Sequence, residues 1–305
     1  MSAEENKALL RRFIDIWSTG NVATADEFIS ADLIDHSLPP GLPSGLAGFK
    51  LLVAGFRTAF PDLHVTIDDI VAQGGKAAGR VTFRGTHRGA FQGIPATGKT
   101  ITMGAIGILR FEGGETVEHW AVLDLLGLLQ QLGVAPAQTD APYDSRWPAA
   151  RHGTRHEADN SANTALVRRF FEEVCNARRL EVAGELFAAD HHYYDPSIPG
   201  VADGPAGITQ EMGPVVPYQA AFSDARWYVE DMIAEGDMVV TRWVGRGTQD
   251  GDLPGIPAAG RSVEVPGIWM QRIANGKIVE SWQVWDTLRM LQQLDVIPMP
   301  AEVGA

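Results

Sequence analysis

The stretch VEHWAVLDLLGLLQQLG, from Val117 to Gly133, occurs a second time as VESWQVWDTLRMLQQLD, from Val279 to Asp295. Ten of the 17 aligned positions are identical, and Asp124 and Asp286 are among them. Unrelated segments of average composition would match at roughly one position in 17. The stretch therefore marks an internal repeat, and the chain contains one design twice.

The repeat extends over most of both halves. ALLRRF at residues 8–13 matches ALVRRF at residues 165–170, an offset of 157. GIPATG at residues 93–98 matches GIPAAG at residues 255–260, an offset of 162. A chain of 305 residues also suits two domains of about 150 residues each.

We therefore predict a first domain at residues 1–136, a linker at 137–162 and a second domain at 163–299. The predicted linker is rich in Ala, Pro, Asp, Ser, Arg and His and has no apolar periodicity. Its length would let the two domains pack side by side as an intramolecular pseudo-dimer. Further oligomerisation is left open.

Each half is predicted to contain three helices, a mainly antiparallel sheet and a short terminal helix. Ser2 and Glu5 have the spacing of a capping box, and an apolar helical face follows over residues 3–17. In the second half we expect the cap at Asn163 or Thr164. Runs of β-branched or alternating residues between Gly-rich turns then predict the strands.

The composition is that of a soluble globular protein, with 45% hydrophobic and 21% charged residues. A formal net charge of −13 argues against binding to nucleic acid or to an anionic membrane, and favours a small hydrophobic ligand as partner. The sequence has no signal-peptide pattern and no run of about 18 apolar residues, so no membrane span is predicted.

Cysteine and histidine usage argues against metal and redox chemistry. Cys175 is the only cysteine, which excludes an internal disulfide and a thiolate metal cluster and favours the reducing cytoplasm. His64 and His87 have no partner at metal-ligand spacing. We predict a cytoplasmic protein with no metal site and no cofactor.

Several motifs recur at corresponding places in both halves. They are a first helix ending in an aromatic residue, an acid-bearing Pro-rich loop, an F-x-D step into the sheet, the GIPATGK turn and E-x-W-x3-D-x5-QQL. Together they resemble the SnoaL-like polyketide cyclases, or ester cyclases, of the nuclear transport factor two-like superfamily. The resemblance implies an α+β fold of two tandem cone-shaped barrel domains, each with three helices packed on a curved, mainly antiparallel sheet.

The resemblance also implies a cofactor-independent acid/base enzyme. Its reaction would be a cyclisation by intramolecular aldol closure, or an isomerisation, of a small hydrophobic carbonyl compound such as a polyketide. Two alternatives stay open at this point. One is a non-catalytic small-molecule-binding or dimerisation module, and the other is a hydrolase of the same superfamily.

In the resembled family the aspartate just before the last helix is the general acid/base, which implies Asp124 and Asp286 here. The family also uses histidines in the same cavity, and His119 is the candidate. The structural alternative is that each aspartate is the N-cap of the helix that follows. Strand alternation puts His119 and Asp124 on opposite faces, which argues against a direct dyad between them.

Arg80 and Arg242 occupy the same strand position in the two halves and are candidates for substrate contact. A buried arginine must be paired, so an ion pair with a carboxylate is the structural alternative. Epoxide hydrolases of this superfamily use Arg-x-Asp at such a step. Thr82 and Val244 follow here instead, which argues against that chemistry.

Two loops carry further candidates for substrate binding. Asp35 and His36 in the first half, and Tyr194 and Asp195 in the second, would line the mouth of a cavity. The alternative is that these acids form turns, since one precedes proline and both lie in Pro-rich loops.

Tryptophan distribution separates the two halves. Trp120 and Trp282 are predicted to form cavity walls, and the second half adds Trp269 and Trp285 among other indoles. These indoles either fill a core or line a cavity for a flat, fused-ring ligand. We expect the first half to keep the more open acid/base pocket.

Overall fold

The computed structural model describes residues 1–135, 160–198, 200–209 and 215–297. It divides into two compact units, one for each half of the repeat. The predicted linker lies outside the described residues except for its last three. Among the described residues no helix has both the length and the apolar composition needed to cross a membrane.

The first unit opens with helix α1, Ala3–Thr19. The Ser2 hydroxyl accepts a hydrogen bond from the Glu5 amide (3.2 Å), and the Glu5 carboxylate accepts one from the Ser2 amide (2.6 Å), which confirms the predicted capping box. The elements that follow are a 3-10 turn Val22–Glu27, β1 Ile29–Asp35, α2 Gly45–Ala59, β2 His64–Gln73, β3 Lys76–Thr86, β4 Thr100–Glu112, β5 Glu115–Leu123 and α3 Leu125–Leu132.

The five strands form one sheet in the order β1-β5-β4-β3-β2. β1 runs parallel to β5 and occupies part of the loop predicted around Asp35, whereas the other three pairings are antiparallel, in agreement with the predicted mainly antiparallel sheet. Helices α1 and α2 join the sheet through aromatic contacts. The rings of Phe13 and Phe49 lie 4.6 Å apart, and those of Trp17 and Phe83 lie 5.5 Å apart. These buried rings supply much of the apolar area that stabilises the unit.

The second unit repeats this plan. Its elements are α4 Asn160–Arg169, which continues as a π-helical stretch Phe170–Asn176, a 3-10 turn Leu180–Val182, α5 Ala183–Leu186, β6 Phe187–Tyr194, α6 Pro205–Thr209, α7 Val216–Ala221, β7 Arg226–Glu235, β8 Met238–Thr248, β9 Ser262–Ala274, β10 Lys277–Trp285 and α8 Thr287–Gln293. The sheet order is β6-β10-β9-β8-β7, with β6 parallel to β10. The two tandem α+β domains expected from the sequence are confirmed.

Helix α4 corrects one prediction. It already includes Asn160, so the cap predicted at Asn163 or Thr164 is wrong. Asn163 lies inside the helix, and its amide donates to the Gly236 carbonyl (3.0 Å), as Asn6 in α1 donates to Gly74 (2.7 Å). The asparagine links the helix to the turn between β7 and β8. The sequence pattern does not distinguish that role from a helix cap.

The two sheets differ in register at their first strands. Asp35 pairs with His119 in the first sheet. Ser281, which holds the position of His119 at the offset of 162, pairs with Tyr193 in the second. Both halves have a D-x-S loop, Asp35-His36-Ser37 and Asp195-Pro196-Ser197, and the acid of the second one lies two residues beyond Tyr193. The same loop motif therefore presents its carboxylate to different neighbours in the two domains.

Candidate active site

An apolar cavity lies in the first unit between helices α1 and α2 and the sheet. The cavity proper has a volume of about 80 Å³, and the space reaches about 770 Å³ when its opening to solvent is included. Every second side chain of these strands faces the cavity, because successive residues of a strand point to opposite sides of the sheet. The aromatic and aliphatic walls include Phe13, Trp17, Phe56, Val81, Phe83 and Leu123.

His119 is the titratable side chain among the residues that line this cavity. Its ring packs against Phe13 with a centroid distance of 4.9 Å. A Cβ atom added to Gly107 on the neighbouring strand would lie 3.5 Å from Nε2 of His119. A methyl group at Gly107 would make ordinary van der Waals contact with the imidazole, whereas a large side chain would compete with it for space.

Asp35 lies behind His119, at the end of β1. Its Oδ2 atom is 3.0 Å from Nδ1 of His119, and its side chain is fully buried. Its Oδ1 atom accepts hydrogen bonds from the Ser37 amide (2.9 Å) and hydroxyl (2.6 Å). Burial raises the pKa of Asp35, but His119 and the Ser37 donors outweigh burial and hold the pKa at about 2. Asp35 is therefore ionised at neutral pH.

An ionised carboxylate beside Nδ1 favours the imidazole tautomer that carries its proton on Nδ1. The position of the Asp35 carboxylate therefore assigns this tautomer to His119. The lone pair of the neutral ring is then on Nε2, on the side of Gly107 and the cavity. This arrangement can act as a general base toward a bound molecule.

Asp124 and Asp286 each cap the helix that follows. The Asp124 carboxylate accepts from the Gly127 amide (3.0 Å) at the start of α3, and the Asp286 carboxylate accepts from the Arg289 amide (2.9 Å) at the start of α8. Burial raises the pKa of Asp286, partly offset by the Arg289 amide and charge. Neither aspartate is among the residues that line the cavity of its own unit.

The sequence-predicted residues on the other sheet face lie outside the cavity lining. The Trp120 ring stacks on the His36 ring, with centroids 5.1 Å apart and planes inclined by 4°. His36 in turn contacts Glu118 at 2.9 Å. Alternation along β5 explains this, because His119 faces the cavity and Trp120 therefore faces away from it.

Arg80 and Arg242 also lie outside the lining of the two cavities. Arg80, only 2% exposed, pairs with Asp69 at 2.9 Å, and Arg242 pairs with Glu230. These contacts agree with the ion-pair alternative, because a buried guanidinium is costly without a carboxylate partner.

The corresponding region of the second unit is filled. At the offset of 162, Trp269 holds the position of Gly107 and Ser281 that of His119. The Trp269 ring packs on Phe170 at a centroid distance of 4.7 Å, and Phe170 is the counterpart of Phe13 at the offset of 157. An indole from one strand thus replaces an imidazole from the next.

The cavity of the second unit overlaps that of the first in its strand positions and extends further toward Gly247 and Val263. Gly245 holds the position of Phe83, and residues of β8 and β9 near Gly245 line the opening. Trp269 and Trp285, two of the sequence-predicted residues, are among its walls. Tyr194 and Trp282 are not, and their rings stack on each other at 5.7 Å.

Asp195 is the counterpart of Asp35 in the D-x-S loop. Its Oδ1 atom accepts from the Ser197 amide (2.8 Å) and hydroxyl (2.6 Å), as in the first unit. Its Oδ2 atom accepts from the Tyr193 hydroxyl (3.0 Å) and from Nε1 of Trp285 (3.1 Å). Burial raises the pKa of Asp195, partly offset by these donors. An acid that faces a histidine in one domain therefore faces an indole in the other.

The sequence did not reveal the pairing of Asp35 with His119. These residues are 84 positions apart, and the pairing depends on the parallel contact between β1 and β5. Reasoning from the sequence also missed the buried contact between His191 and Ser281 (2.9 Å). Within the described part of the chain, no three His, Cys, Asp or Glu side chains are grouped so as to hold a metal ion.

Comparison with known proteins adds independent findings. The family model of SnoaL-like polyketide cyclase matches residues 7–132 and 165–294. Aklanonic acid methyl ester cyclase DnrD from Streptomyces peucetius is 27% identical over 128 residues, which cover 41% of this chain and 88% of that protein. The corresponding enzyme DauD from Streptomyces sp. (strain C5) is 25% identical over 159 residues, covering 51% of this chain and 96% of that protein. Among solved structures, TsrD from Streptomyces laurentii is 30% identical, covers 44% of this chain and 98% of its own, and has a TM-score of 0.41.

Proposed function

The chain belongs to the SnoaL-like polyketide cyclase family, and from this membership and the site geometry we propose that its first domain is a cofactor-independent acid/base catalyst of the cyclase type. The observation that carries the proposal is the imidazole of His119 in an apolar cavity, with the ionised Asp35 3.0 Å behind it. His119 is the base, and Asp35 is the residue that positions it.

The reaction is an intramolecular aldol closure. Nε2 of His119 takes a proton from the carbon next to a carbonyl group, and the electron pair of that C–H bond forms an enolate. The enolate carbon attacks a second carbonyl group of the same molecule, which forms the new C–C bond and an alkoxide. The proton on Nε2 then passes to the alkoxide, so the enzyme ends in its starting state.

The substrate is a hydrophobic compound with at least two carbonyl groups. Aromatic and aliphatic side chains form most of the cavity wall, and an apolar wall selects ligands by shape and removes water from the reacting carbon. Gln92 also lines this cavity, and its side-chain amide can donate to a carbonyl oxygen, whereas the Ser37 hydroxyl in the same lining donates to Asp35. The relatives named aklanonic acid methyl ester cyclases support a polyketide as the substrate class.

Asp124 and Asp286 have a different role in this proposal. Each carboxylate stabilises a helix start, so its loss lowers stability more than turnover. The competing hypothesis is that Asp124 is itself the acid/base. The two hypotheses make opposite predictions for the same pair of variants.

The test uses a linear diketone, heptanedione, in deuterated water. Nuclear magnetic resonance measures deuterium entry next to the carbonyl groups, which reports proton removal, and the appearance of the cyclic product. We expect His119→Gln to lower both rates by about 10²-fold to 10⁴-fold. Asp124→Asn is expected to keep most of the rate and most of the stability, because asparagine also caps a helix start.

The matched control is His64→Gln, which changes an exposed histidine on β2 outside the cavity. It should leave both rates unchanged. A folded His119→Gln enzyme with full activity would contradict the proposal, and loss of activity in Asp124→Asn alone would assign the acid/base to Asp124.

We also propose that the protein acts in the cytoplasm. The only cysteine, Cys175, is a free and buried thiol, which suits a reducing compartment. Burial raises the pKa of this thiol, so it stays protonated and unreactive.

A further inference from the structure

The loop between β3 and β4 of the first domain, residues 87–99, brings Gln92 to the cavity, and we call it the Gln92 loop. At its tip Phe91 and Ile94 exchange two backbone hydrogen bonds (3.0 and 2.8 Å). Gln92 and Gly93 form the centre of this turn, with φ angles of +48° and +81°. The position of the loop therefore decides where the Gln92 amide lies.

The side chain of His87 holds the second arm of this loop. Nδ1 of His87 accepts a hydrogen bond from the Thr97 amide (3.2 Å), and the Thr97 hydroxyl lies 3.1 Å from the same atom. The imidazole is fully buried and packs against the Phe60 ring, with centroids 5.2 Å apart. A nitrogen that accepts from an N–H group must have a free lone pair, so Nδ1 carries no proton and the neutral ring is protonated on Nε2.

The second domain holds the same loop with a side chain that does not titrate. At the offset of 162, Gln249 is the counterpart of His87 and Ala259 that of Thr97. Oε1 of Gln249 accepts from the Ala259 amide (3.3 Å), and its Nε2 donates to the carbonyls of Ile256 (3.3 Å) and Pro257 (3.2 Å). Nε2 of His87 is buried and makes no hydrogen bond with any residue that the structure describes.

The backbone hydrogen bonds at the base of the two loops are equivalent. The His87 amide donates to the Lys99 carbonyl and the His87 carbonyl accepts from the Gly98 amide, both at 2.9 Å, and the two corresponding bonds of Gln249 are both 2.8 Å. Imidazole and amide are therefore alternative anchors at one position of a shared loop. They differ in that an imidazole takes up a proton near pH 6.5 in an unfolded chain and an amide does not.

A proton on Nδ1 of His87 removes the acceptor of the Thr97 amide. The protonated ring has two donors and no acceptor, so Nδ1–H and the Thr97 N–H would face each other. The Thr97 hydroxyl can accept from Nδ1–H, but the amide still loses its partner. Because a buried charge is costly, proton uptake accompanies the opening of this contact. The open loop binds one proton more than the closed loop, and the closed population therefore rises with pH.

None of the described charged groups near His87 compensates a charge on its ring. The titratable and charged side chains on the segments that pack around the ring are those of Arg57, Asp62, His64, Arg84, Arg88 and Lys99. Asp62 is the carboxylate of this set, and it accepts from the Thr86 amide and hydroxyl, both at 2.7 Å. The arginine and lysine side chains oppose a further positive charge.

From these observations we propose that His87 is a positioning residue of the first domain, whose neutral form anchors the Gln92 loop and whose protonation releases it. Gln249 gives the second domain the same anchor without the dependence on pH. The proposal rests on the proposed function where it lets the Gln92 amide hold a substrate carbonyl group. The anchor itself does not depend on catalysis.

Hydrogen exchange of single amides, measured by nuclear magnetic resonance without substrate, tests the anchor. The Thr97 and Ala259 amides are compared in one protein, so each sample contains its own reference. We expect the protection factor of Thr97 to fall at least about tenfold between pH 8 and pH 5, and that of Ala259 to change less than about twofold. In His87→Gln, Thr97 should behave as Ala259 does. His87→Leu, which has no acceptor, should leave Thr97 poorly protected even at pH 8.

Turnover of heptanedione tests whether the loop serves the site. Protonation of His119 lowers kcat at low pH in each of these proteins, whereas release of the Gln92 loop acts on KM. We expect the KM of the wild type to rise about threefold to tenfold between pH 8 and pH 5.5, and the KM of His87→Gln to stay constant. His64→Gln, at an exposed histidine, is the control and should respond to pH as the wild type does.

Equal pH dependence of Thr97 and Ala259 in the wild type, or a pH-dependent Thr97 in His87→Gln, would overturn the anchor. A KM that does not follow the protection of Thr97 would overturn the positioning role. His87→Gln decides the matter if His87→Leu does not fold. Because exchange is measured without substrate, a protein that does not convert heptanedione contradicts the catalytic proposal and leaves the test of the anchor intact.

Discussion

Trp269 of the second domain occupies the strand position that Gly107 occupies in the first, and the two positions have different neighbours. Nε2 of His119 lies 3.5 Å from the place where Gly107 would carry a Cβ atom. Trp269 packs on Phe170 in the corresponding space, and the strand beside it has Ser281 in place of histidine. A large residue on one strand thus accompanies a small residue on the next.

This relationship predicts a strong coupling between the two positions. Gly107→Trp in the first domain should destabilise it by more than about 3 kcal/mol, because the indole and His119 would compete for one space. Adding His119→Ser, the residue found at the corresponding Ser281, should recover at least about 1 kcal/mol. Differential scanning calorimetry of the two variants and of His119→Ser alone completes the cycle. Additive effects would show that the two residues do not share the space.

The contact of Asp35 with His119 predicts that Asp35→Asn lowers the activity while the fold of the site stays intact. Asp35→Asn places an amide N–H₂ or a carbonyl oxygen beside Nδ1, and the carboxylate charge is gone. The amide form favours the tautomer with its proton on Nε2, which cannot accept a proton from substrate. We expect proton removal from heptanedione to fall by about 10²-fold to 10⁴-fold.

Two readouts distinguish this positioning role from a general loss of structure. The nitrogen chemical shifts of His119 report the tautomer directly and should change in Asp35→Asn. Asp26→Asn, at an exposed aspartate paired with Lys50, is the control and should alter neither the tautomer nor the rate. A wild-type tautomer combined with a wild-type rate in Asp35→Asn would remove Asp35 from the mechanism.

The lowered pKa of Asp35 also predicts how the free energy of unfolding depends on pH. Its folded-state pKa of about 2 lies below the value of about 3.9 expected in an unfolded chain. A lowered folded pKa contributes stability above the unfolded value, and that contribution is lost as the pH falls through the folded value. The difference corresponds to about 2–3 kcal/mol.

Melting temperatures of the wild type and of Asp35→Asn should therefore differ most above about pH 4 and converge toward about pH 2. Scanning calorimetry at several pH values gives both curves. A gap that stays constant down to about pH 2 would mean that the ionised form of Asp35 is not favoured by folding.

The sequence predicted the architecture well because the fold is encoded locally. The capping box of Ser2 and Glu5, the alternating strands and the Gly-rich turns each depend on near neighbours in the chain. The repeat then supplied the second domain. The cap of α4 was missed because an asparagine that tethers a helix to a turn and one that caps it have the same local pattern.

The candidate site was harder to predict, because it depends on contacts between distant strands. Strand alternation separated His119 from Asp124, but nothing in the sequence indicates the register between β1 and β5 that brings Asp35 beside His119. The place of Trp269 in the wall of the second cavity depends equally on which strands are neighbours. Pairing across a sheet is not contained in the spacing along one strand.

The two aspartates before the terminal helices predict equal effects in both domains. Asp124→Ala and Asp286→Ala should each lower stability by about 1 kcal/mol, because each removes the hydrogen bond that satisfies a free amide at a helix start. Serine at the same positions should restore most of the loss, since its hydroxyl can accept the same bond. Chemical denaturation followed by circular dichroism measures the change, and a loss confined to one domain would show that the two caps are not equivalent.

Gly267 gives the sharpest test of how the second domain rearranged its interior. A Cβ atom at this position would lie 2.1 Å from Cζ2 of Trp243, so the indole occupies the space that any side chain would need. The first domain has Ala105 at the corresponding place, opposite the smaller Val81. Gly267→Ala should therefore destabilise the protein by more than about 2 kcal/mol, whereas the reverse change Ala105→Gly should cost only about 1 kcal/mol. Calorimetric melting of both variants measures the difference. The cost of Gly267→Ala should vanish when it is measured in a Trp243→Val background, which restores the pair found in the first domain, and an equal cost in that background would mean that Trp243 is not its cause.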